Sequence, residues 1–176
     1  MKQDAFESGI SYHIYNRGNN KENIFKEEKN YAYFLLLLEK YLLPIADVYA
    51  YCLMKNHFHF VLKIKDAEIL EEKFRKKPHL AFSNMFNAYT KSINKAYKRS
   101  GSLFQEHIKR KRIENEEYLK QLVAYVHLNP VKHGFVDNFR LYLHSSYQAY
   151  TKEDQTIVKK DYIIELFDNM ENFEYF

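Results

Sequence analysis

Apolar and polar positions alternate along this chain with a period that switches several times, and each switch marks an element. Residues 10–15, ISYHIY, are β-branched and aromatic and run into NRGNN (16–20), which predicts a strand followed by a turn. EEKNYAYFLLLLEKYLL (27–43) begins with acidic residues and stops at Pro44, which predicts a helix. DVYAYCLM (47–54) and HFHFVLKI (57–64) read as two strands joined through Lys55 and Asn56. Asn tolerates a left-handed backbone, so a tight hairpin is expected there. The charged stretch 65–78 follows neither period. From 79 to 100, Leu80, Met85, Ala88, Ile93, Ala96 and Tyr97 recur at helical spacing up to Gly101. EHIKRKRIE (106–114) reads as a short basic strand. EEYLKQLVAYVHLN (116–129) reads as a helix with an acidic first turn, ended by Pro130. HSSYQAY (144–150) and a last helix near 159–170 complete the chain.

The order strand, helix, strand, strand, helix, strand, helix predicts an α+β fold. Its core is a ferredoxin-like βαββαβ antiparallel sheet with helices on one face. The other face, or a groove at a strand edge, is then available to a ligand. A length of 176 residues fits one domain, taken here as 1–150, with 151–176 as a C-terminal helical extension. Such a fold does not by itself name a function.

Composition narrows the chemistry. There are 16 Tyr and 14 Phe but no Trp, so much of the core and surface must be aromatic. The net charge of +4 permits a polyanionic partner without demanding one. The single Cys52 excludes an internal disulfide and a cysteine-only zinc site, and its apolar neighbours predict burial. No segment reaches the roughly 18 consecutive apolar residues that span a bilayer. The start, MKQDAFESG, lacks the apolar stretch of a secretory signal. A cytoplasmic protein with no membrane partner is expected.

Within the second predicted hairpin strand, KNHFHFVLKIK (55–65) sets His57 and His59 two apart. On a strand both imidazoles point to one face, with Phe58 and Phe60 on the other. Two imidazoles so placed can share one divalent ion, although a third donor is then required from elsewhere. They can equally be ordinary polar residues of a sheet face. LVAYVHLNPVKHG (122–134) offers a third donor. Tyr125 and Asn129 are four apart and share a helix face, which sets a phenol beside an amide oxygen. An amide oxygen is a hard ligand suited to Mg²⁺ or Mn²⁺. The competing reading has Tyr125 in the core and Asn129 capping its helix before Pro130. Proline also disfavours helical geometry at the residue before it, which works against the ideal spacing of Asn129.

Taken together, H-F-H at 57–59 and Y-V-H-L-N-P-V-K-H-G at 125–134 resemble the single-tyrosine HUH transposases, and among them the REP-associated tyrosine transposases. H-I-Y-N-R-G-N (13–19), L-F-Q-E (103–106) and S-S-Y (145–147) add to the likeness, which covers roughly residues 10–150. One departure is His144 before S-S-Y, where Trp is usual in the family. The resemblance implies a metal-dependent enzyme that cuts single-stranded or hairpin DNA. It would hold the 5′ phosphate as a phosphotyrosine and release a 3′ hydroxyl that can attack another end. His57 and His59 match the HUH pair, Tyr125 the nucleophile and Asn129 the third ligand position for Mg²⁺ or Mn²⁺. The C-terminal helix that carries Tyr125 would then bring the nucleophile to the sheet. Both monomeric and homodimeric action fit the resemblance.

For such a substrate, HIKRKR (107–112) would place Lys109 and Lys111 on one face of its strand and Arg110 and Arg112 on the other. Lys95, Lys98 and Arg99 end the preceding helix. All are candidates for phosphate contact, as are Asn16 and Arg17 in the loop after the first strand. Any one of these can instead be a solvated surface charge, and Asn16 and Arg17 can simply shape their turn. Tyr118, two turns before Tyr125 on the same face, is the alternative nucleophile. His127 should point away from Tyr125, to a structural or surface position. His133 also lies close in sequence, and His13 could face the same cleft. A rival to the enzyme is a non-catalytic nucleic-acid-binding module on the same scaffold. A two-histidine iron site is a weaker rival, because its third ligand is a carboxylate.

Overall fold

A computed structural model describes residues 5–152 and 156–176. Four strands, β1 (Ser11–Arg17), β2 (Ala46–Met54), β3 (His57–Ile64) and β4 (Lys109–Arg112), form an antiparallel sheet in the order β2-β3-β1-β4. Helices α1 (Glu28–Tyr41) and α3 (His79–Ala96) cover one face of it. This is the expected βαββαβ arrangement. The short α2 (Glu72–Lys76) precedes α3. Helix α4 (Glu116–Lys132) lies across β2 and β3 on the other face. Three short helices follow, α5 (Tyr147–Thr151), α6 (Lys160–Leu166) and α7 (Met170–Tyr175).

The α1–α3 side is an aromatic core. Phe34 of α1 packs on Phe58 and Phe60 of β3 and on Phe86 and Tyr89 of α3, with ring centroids 4.8–6.2 Å apart. Helix α1 starts with a reciprocal cap: the Glu27 side chain accepts from the backbone of Asn30, whose Oδ1 accepts from the Glu27 N–H at 3.0 Å. With helices on both sides, β3 is buried along nearly its whole length.

Several boundaries differ from the sequence reading, each for a local reason. Helix α4 runs through Pro130 and ends two residues later. Its stop is Gly134, left-handed at φ +70°, with Phe135 N–H donating to the Pro130 carbonyl at 2.8 Å and Gly134 N–H to Val131 at 3.0 Å. Helix α3 closes early in the same way: Lys98 is left-handed and Arg99 N–H donates to the Asn94 carbonyl at 3.0 Å. Strand β4 begins only at Lys109, because His107 has φ +61° and cannot extend. The last helix is two, broken at Asp168 with φ +71°. The Lys55–Asn56 hairpin forms with neither residue left-handed. The Asn56 carbonyl accepts from Gly18 N–H and the Lys55 carbonyl from Ile24 and Phe25 N–H, at 2.9–3.0 Å. At Gly18 any side chain would strike the Glu22 carbonyl, so the glycine of N-R-G-N is a packing requirement.

Candidate active site

Strand alternation places His13, Tyr15 and Arg17 of β1, His57 and His59 of β3, and Lys109 and Lys111 of β4 on the face toward α4. Helix α4 sets Tyr125 against this row. Its ring lies 5.8 Å from His59 and 6.0 Å from His13, both edge-on. The phenol and the two strand histidines therefore meet within one chain.

The hydrogen bonds fix what each group presents. His57 Nδ1 lies 2.7 Å from Asn56 Oδ1, a pure acceptor, so Nδ1 carries the proton and Nε2 has a bare lone pair. That Nε2 is buried without a partner among the described residues. His59 Nδ1 lies 2.9 Å from His13 Nε2. With the proton on His59 Nδ1, the Nε2 of His59 is likewise open for coordination. Asn129 Nδ2 donates to the Tyr125 carbonyl at 2.8 Å, and its Oδ1 is buried and without a partner. Orphaned buried acceptors are uncommon, because each forfeits the hydrogen bonds it had in water. Here two sit on the residues that sequence spacing had marked as ligands.

Burial pulls His57 down to about 4, with His133 and Arg17 adding to the shift. Burial takes His59 to about 2, reinforced by His13, His57, His133 and Arg17, and takes His13 to about 4 with help from Lys111. All three imidazoles are therefore neutral at physiological pH, the state in which a ring nitrogen can coordinate. No cluster of three or more His, Cys, Asp or Glu among the described residues is placed to hold a metal. This face offers two imidazoles and an amide oxygen instead, a donor set that can hold a divalent ion, its one hard ligand being the amide, with open positions left over.

Further residues complete the surroundings. Lys132 Nζ stands 4.5 Å from the Tyr125 ring centre. The His133 ring is 4.7 Å from that of His57, and Tyr15 stacks on His59 at 5.6 Å. Asn56, Tyr15 and Lys132 were not singled out from sequence. Tyr15 is exposed as a neighbour only by the register Tyr15↔His59, and Asn56 only by its adjacency to His57. His127 is a buried structural residue, 2.8 Å from Ser146 Oγ. Tyr118 lies under Lys111 Nζ at 4.8 Å. His144 stacks on Tyr31 at 3.6 Å, so an imidazole fills that aromatic position.

The basic candidates divide. Lys109 and Lys111 are exposed and point to the Tyr125 side, whereas Arg110 and Arg112 point to the other. Arg110 covers the Phe6 ring at 4.4 Å, and Arg112 pairs with Glu7 at 3.2 Å. Lys95 and Lys98 are exposed, but Arg99 is engaged by Glu22 and Asn94. Asn16 and Arg17 belong to β1, not to the loop after it. Asn16 is buried, donating to the Gln105 carbonyl at 3.1 Å and accepting from Arg17 N–H at 2.8 Å, while Arg17 is exposed. No helix among the described residues is long and apolar enough to cross a membrane.

No protein-family model matches the sequence, and no curated protein does. Among solved structures, the chain is similar to a REP-associated tyrosine transposase bound to a REP hairpin. The TM-score is 0.63 at 15% identity, over 89% of this chain and 88% of that one. The fold is thus the one that the sequence motifs resemble. A tRNA(His) guanylyltransferase from Saccharomyces cerevisiae overlaps at a TM-score of 0.38 and 14% identity, over 98% of this chain and 84% of that one, too loosely to carry an argument.

Proposed function

We propose that this protein is a metal-dependent transposase of the REP-associated, single-tyrosine HUH type. It would cleave and rejoin single-stranded or hairpin DNA through a covalent 5′-phosphotyrosine. The observation that carries this reading is the meeting of the Tyr125 ring with His59 at 5.8 Å, in a chain where His57 Nε2 and Asn129 Oδ1 are buried with no partner among the described residues. The likeness in fold to a transposase bound to a DNA hairpin supports it.

His57, His59 and Asn129 would hold Mg²⁺ or Mn²⁺. Such an ion neutralises charge on a scissile phosphate and polarises it toward attack. Tyr125 supplies the nucleophile. Its oxygen bonds to phosphorus as the bond to the 3′ oxygen breaks, so one phosphoester replaces another and no ATP is required. The phenol proton must leave, since tyrosine is protonated near neutral pH at a reference pKa of about 10. Lys132 Nζ stands over the ring, 4.5 Å from its centre. Asn56 and His13 fix the ring nitrogens that His57 and His59 present. Arg17, Lys109 and Lys111 on the same face would take up backbone phosphates. Residues 1–150 would form the transposase domain and 151–176 an extension docked behind α4, where Phe173 stacks on Tyr150 at 4.6 Å. Tyr125 stands beside the histidines of its own chain, so a monomer suffices for the site, and a homodimer is compatible with it. We expect it to act in the cytoplasm.

The test uses a 3′-labelled, hairpin-bearing single strand with Mg²⁺. A labelled protein adduct should survive denaturing electrophoresis, vanish in Tyr125→Phe and persist in Tyr118→Phe. The opposite pattern in the two variants overturns the assignment of the nucleophile. DNA binding with no adduct from any hairpin substrate would point to a non-catalytic module instead.

A further inference from the structure

Behind the sheet, away from Tyr125, a groove of about 820 Å³ opens between α3 and residues 102–110. One wall is a stripe of α3, His79, Ser83, Asn87 and Thr90, spaced four, four and three residues apart and therefore on one helix face. Facing it is the Gln105 side chain. None of these five side chains hydrogen-bonds to another described residue, so their donors and acceptors are open to a ligand. The floor is aromatic, with Phe86 and Phe104 at 5.2 Å between ring centres.

The charge pattern is informative. In a chain that is 28% charged, this groove is lined by one arginine, Arg110, and one carboxylate, Glu106. Sites for a phosphate backbone concentrate Lys and Arg. Neutral amides and hydroxyls over aromatic rings suit the edges and faces of unpaired bases. The groove also adjoins the candidate active site. Asn16 and Gln105 line both it and a recess of about 220 Å³ formed with Tyr15, Arg17, His57 and Lys109. The hydrogen bond from Asn16 Nδ2 to the Gln105 carbonyl, 3.1 Å, forms the saddle between them.

We propose that the groove between α3 and residues 102–110 binds unpaired bases of the single strand that flanks the cut. The phosphates nearest the cut lie in the recess of Arg17 and Lys109, and the chain passes over the saddle so that neighbouring bases enter the groove. This rests on the DNA-cleaving reading above, but it is tested by binding alone. Fluorescence anisotropy would compare two labelled strands of equal length, one a random-sequence single strand and one abasic, in EDTA so that nothing is cut. The wild type should prefer the base-bearing strand. Ser83→Ala/Asn87→Ala/Thr90→Ala should lower that preference about five- to tenfold, the scale of losing one or two base contacts. Its affinity for the abasic strand should stay within about twofold. Lys109→Ala should weaken both strands alike. With 4-thiothymidine strands, wild-type photo-cross-links should map to residues 79–90. A wild type without preference, a triple variant that retains it, or cross-links confined to the Tyr125 side would each overturn the groove. Normal base preference in a protein that forms no phosphotyrosine adduct would sink the cleavage reading while leaving the groove standing.

Discussion

Strand β3 carries two chemistries on its two sides at the same depth. Phe58 and Phe60 are 0% exposed, and His57 and His59 are 6% and 7% exposed. Toward α1 and α3, the phenyl rings meet other rings and every contact is dispersive and apolar. Toward α4, the imidazoles are held by Asn56 and His13, and the His57 Nε2 is left facing no donor. Burial therefore does not distinguish the core from the candidate site. What distinguishes them is whether burial leaves polar atoms satisfied. One side minimises free energy locally, and the other carries a cost that a bound cation would relieve.

The strongest way to break this contrast is to truncate each side. His59→Ala should reduce phosphotyrosine formation by about a thousandfold or more, because charge neutralisation on a transferring phosphoryl group is worth several kcal/mol. Its urea unfolding free energy should stay within about 1 kcal/mol of wild type, since the desolvation cost of a buried imidazole is removed along with its packing. Phe58→Ala should do the reverse in stability, losing about 3–5 kcal/mol from a filled aromatic core. Equal stability losses from the two variants would erase the distinction.

The next effect is on pH. The imidazoles that burial holds neutral, His127 at about 3 and His13 and His57 at about 4, all have folded pKa values below the ordinary 6.5. As pH falls through 6.5 the unfolded chain takes protons that the folded one refuses, so stability is full above that point and declines toward pH 4. For His127, buried beside Ser146, the expected loss at pH 4.5 is about 3 kcal/mol. His127→Phe should flatten the urea midpoint against pH between 7.5 and 4.5. The phenyl side of β3 contributes no slope. An unchanged slope in the variant would show that His127 titrates normally in the folded state.

How much of this was visible in the residues follows the same division. β-branched and aromatic runs located β1 to β3 and helical periodicity the three long helices, because strands covered on both faces read as near-continuous apolar runs, whereas β4 was read from its short basic run. Local backbone chemistry was less visible. Pro130 looked like a stop, but the helix could accommodate it, and the left-handed Gly134 ended α4 instead. Short α2 and α5 carry too few residues to show a period. In the site, the spacing of His57 and His59 and of Tyr125 and Asn129 was visible but fitted ordinary structural roles as well, and the likeness to the HUH transposases supplied their expected roles. His13 and Tyr15 became partners only through the register of β1 on β3, which no single-strand pattern encodes. Asn16 shows what a turn reading misses about position. It was read in a turn and is a buried strand residue whose amide ties β1 to Gln105.

The smallest effect tests the most specific claim about the imidazole side, that its tautomers are set by neighbours. Asn56 is a hairpin residue whose backbone is not left-handed, so Asn56→Ala should fold with the turn intact. What it removes is the 2.7 Å acceptor of His57 Nδ1. The ring is then free to carry its proton on either nitrogen, and part of the population loses the Nε2 lone pair. Nitrogen-15 spectra of the metal-free protein should change from a single protonated Nδ1 to a mixture. Mn²⁺ affinity by calorimetry should fall about 10- to 100-fold, the usual range when a ligand loses its orienting partner. Asn56→Asp keeps an acceptor oxygen in place and should restore the tautomer. If the His57 spectrum is the same in all three proteins, the orphaned Nε2 is set by something other than Asn56, and the side of β3 toward α4 is less organised than its hydrogen bonds indicate.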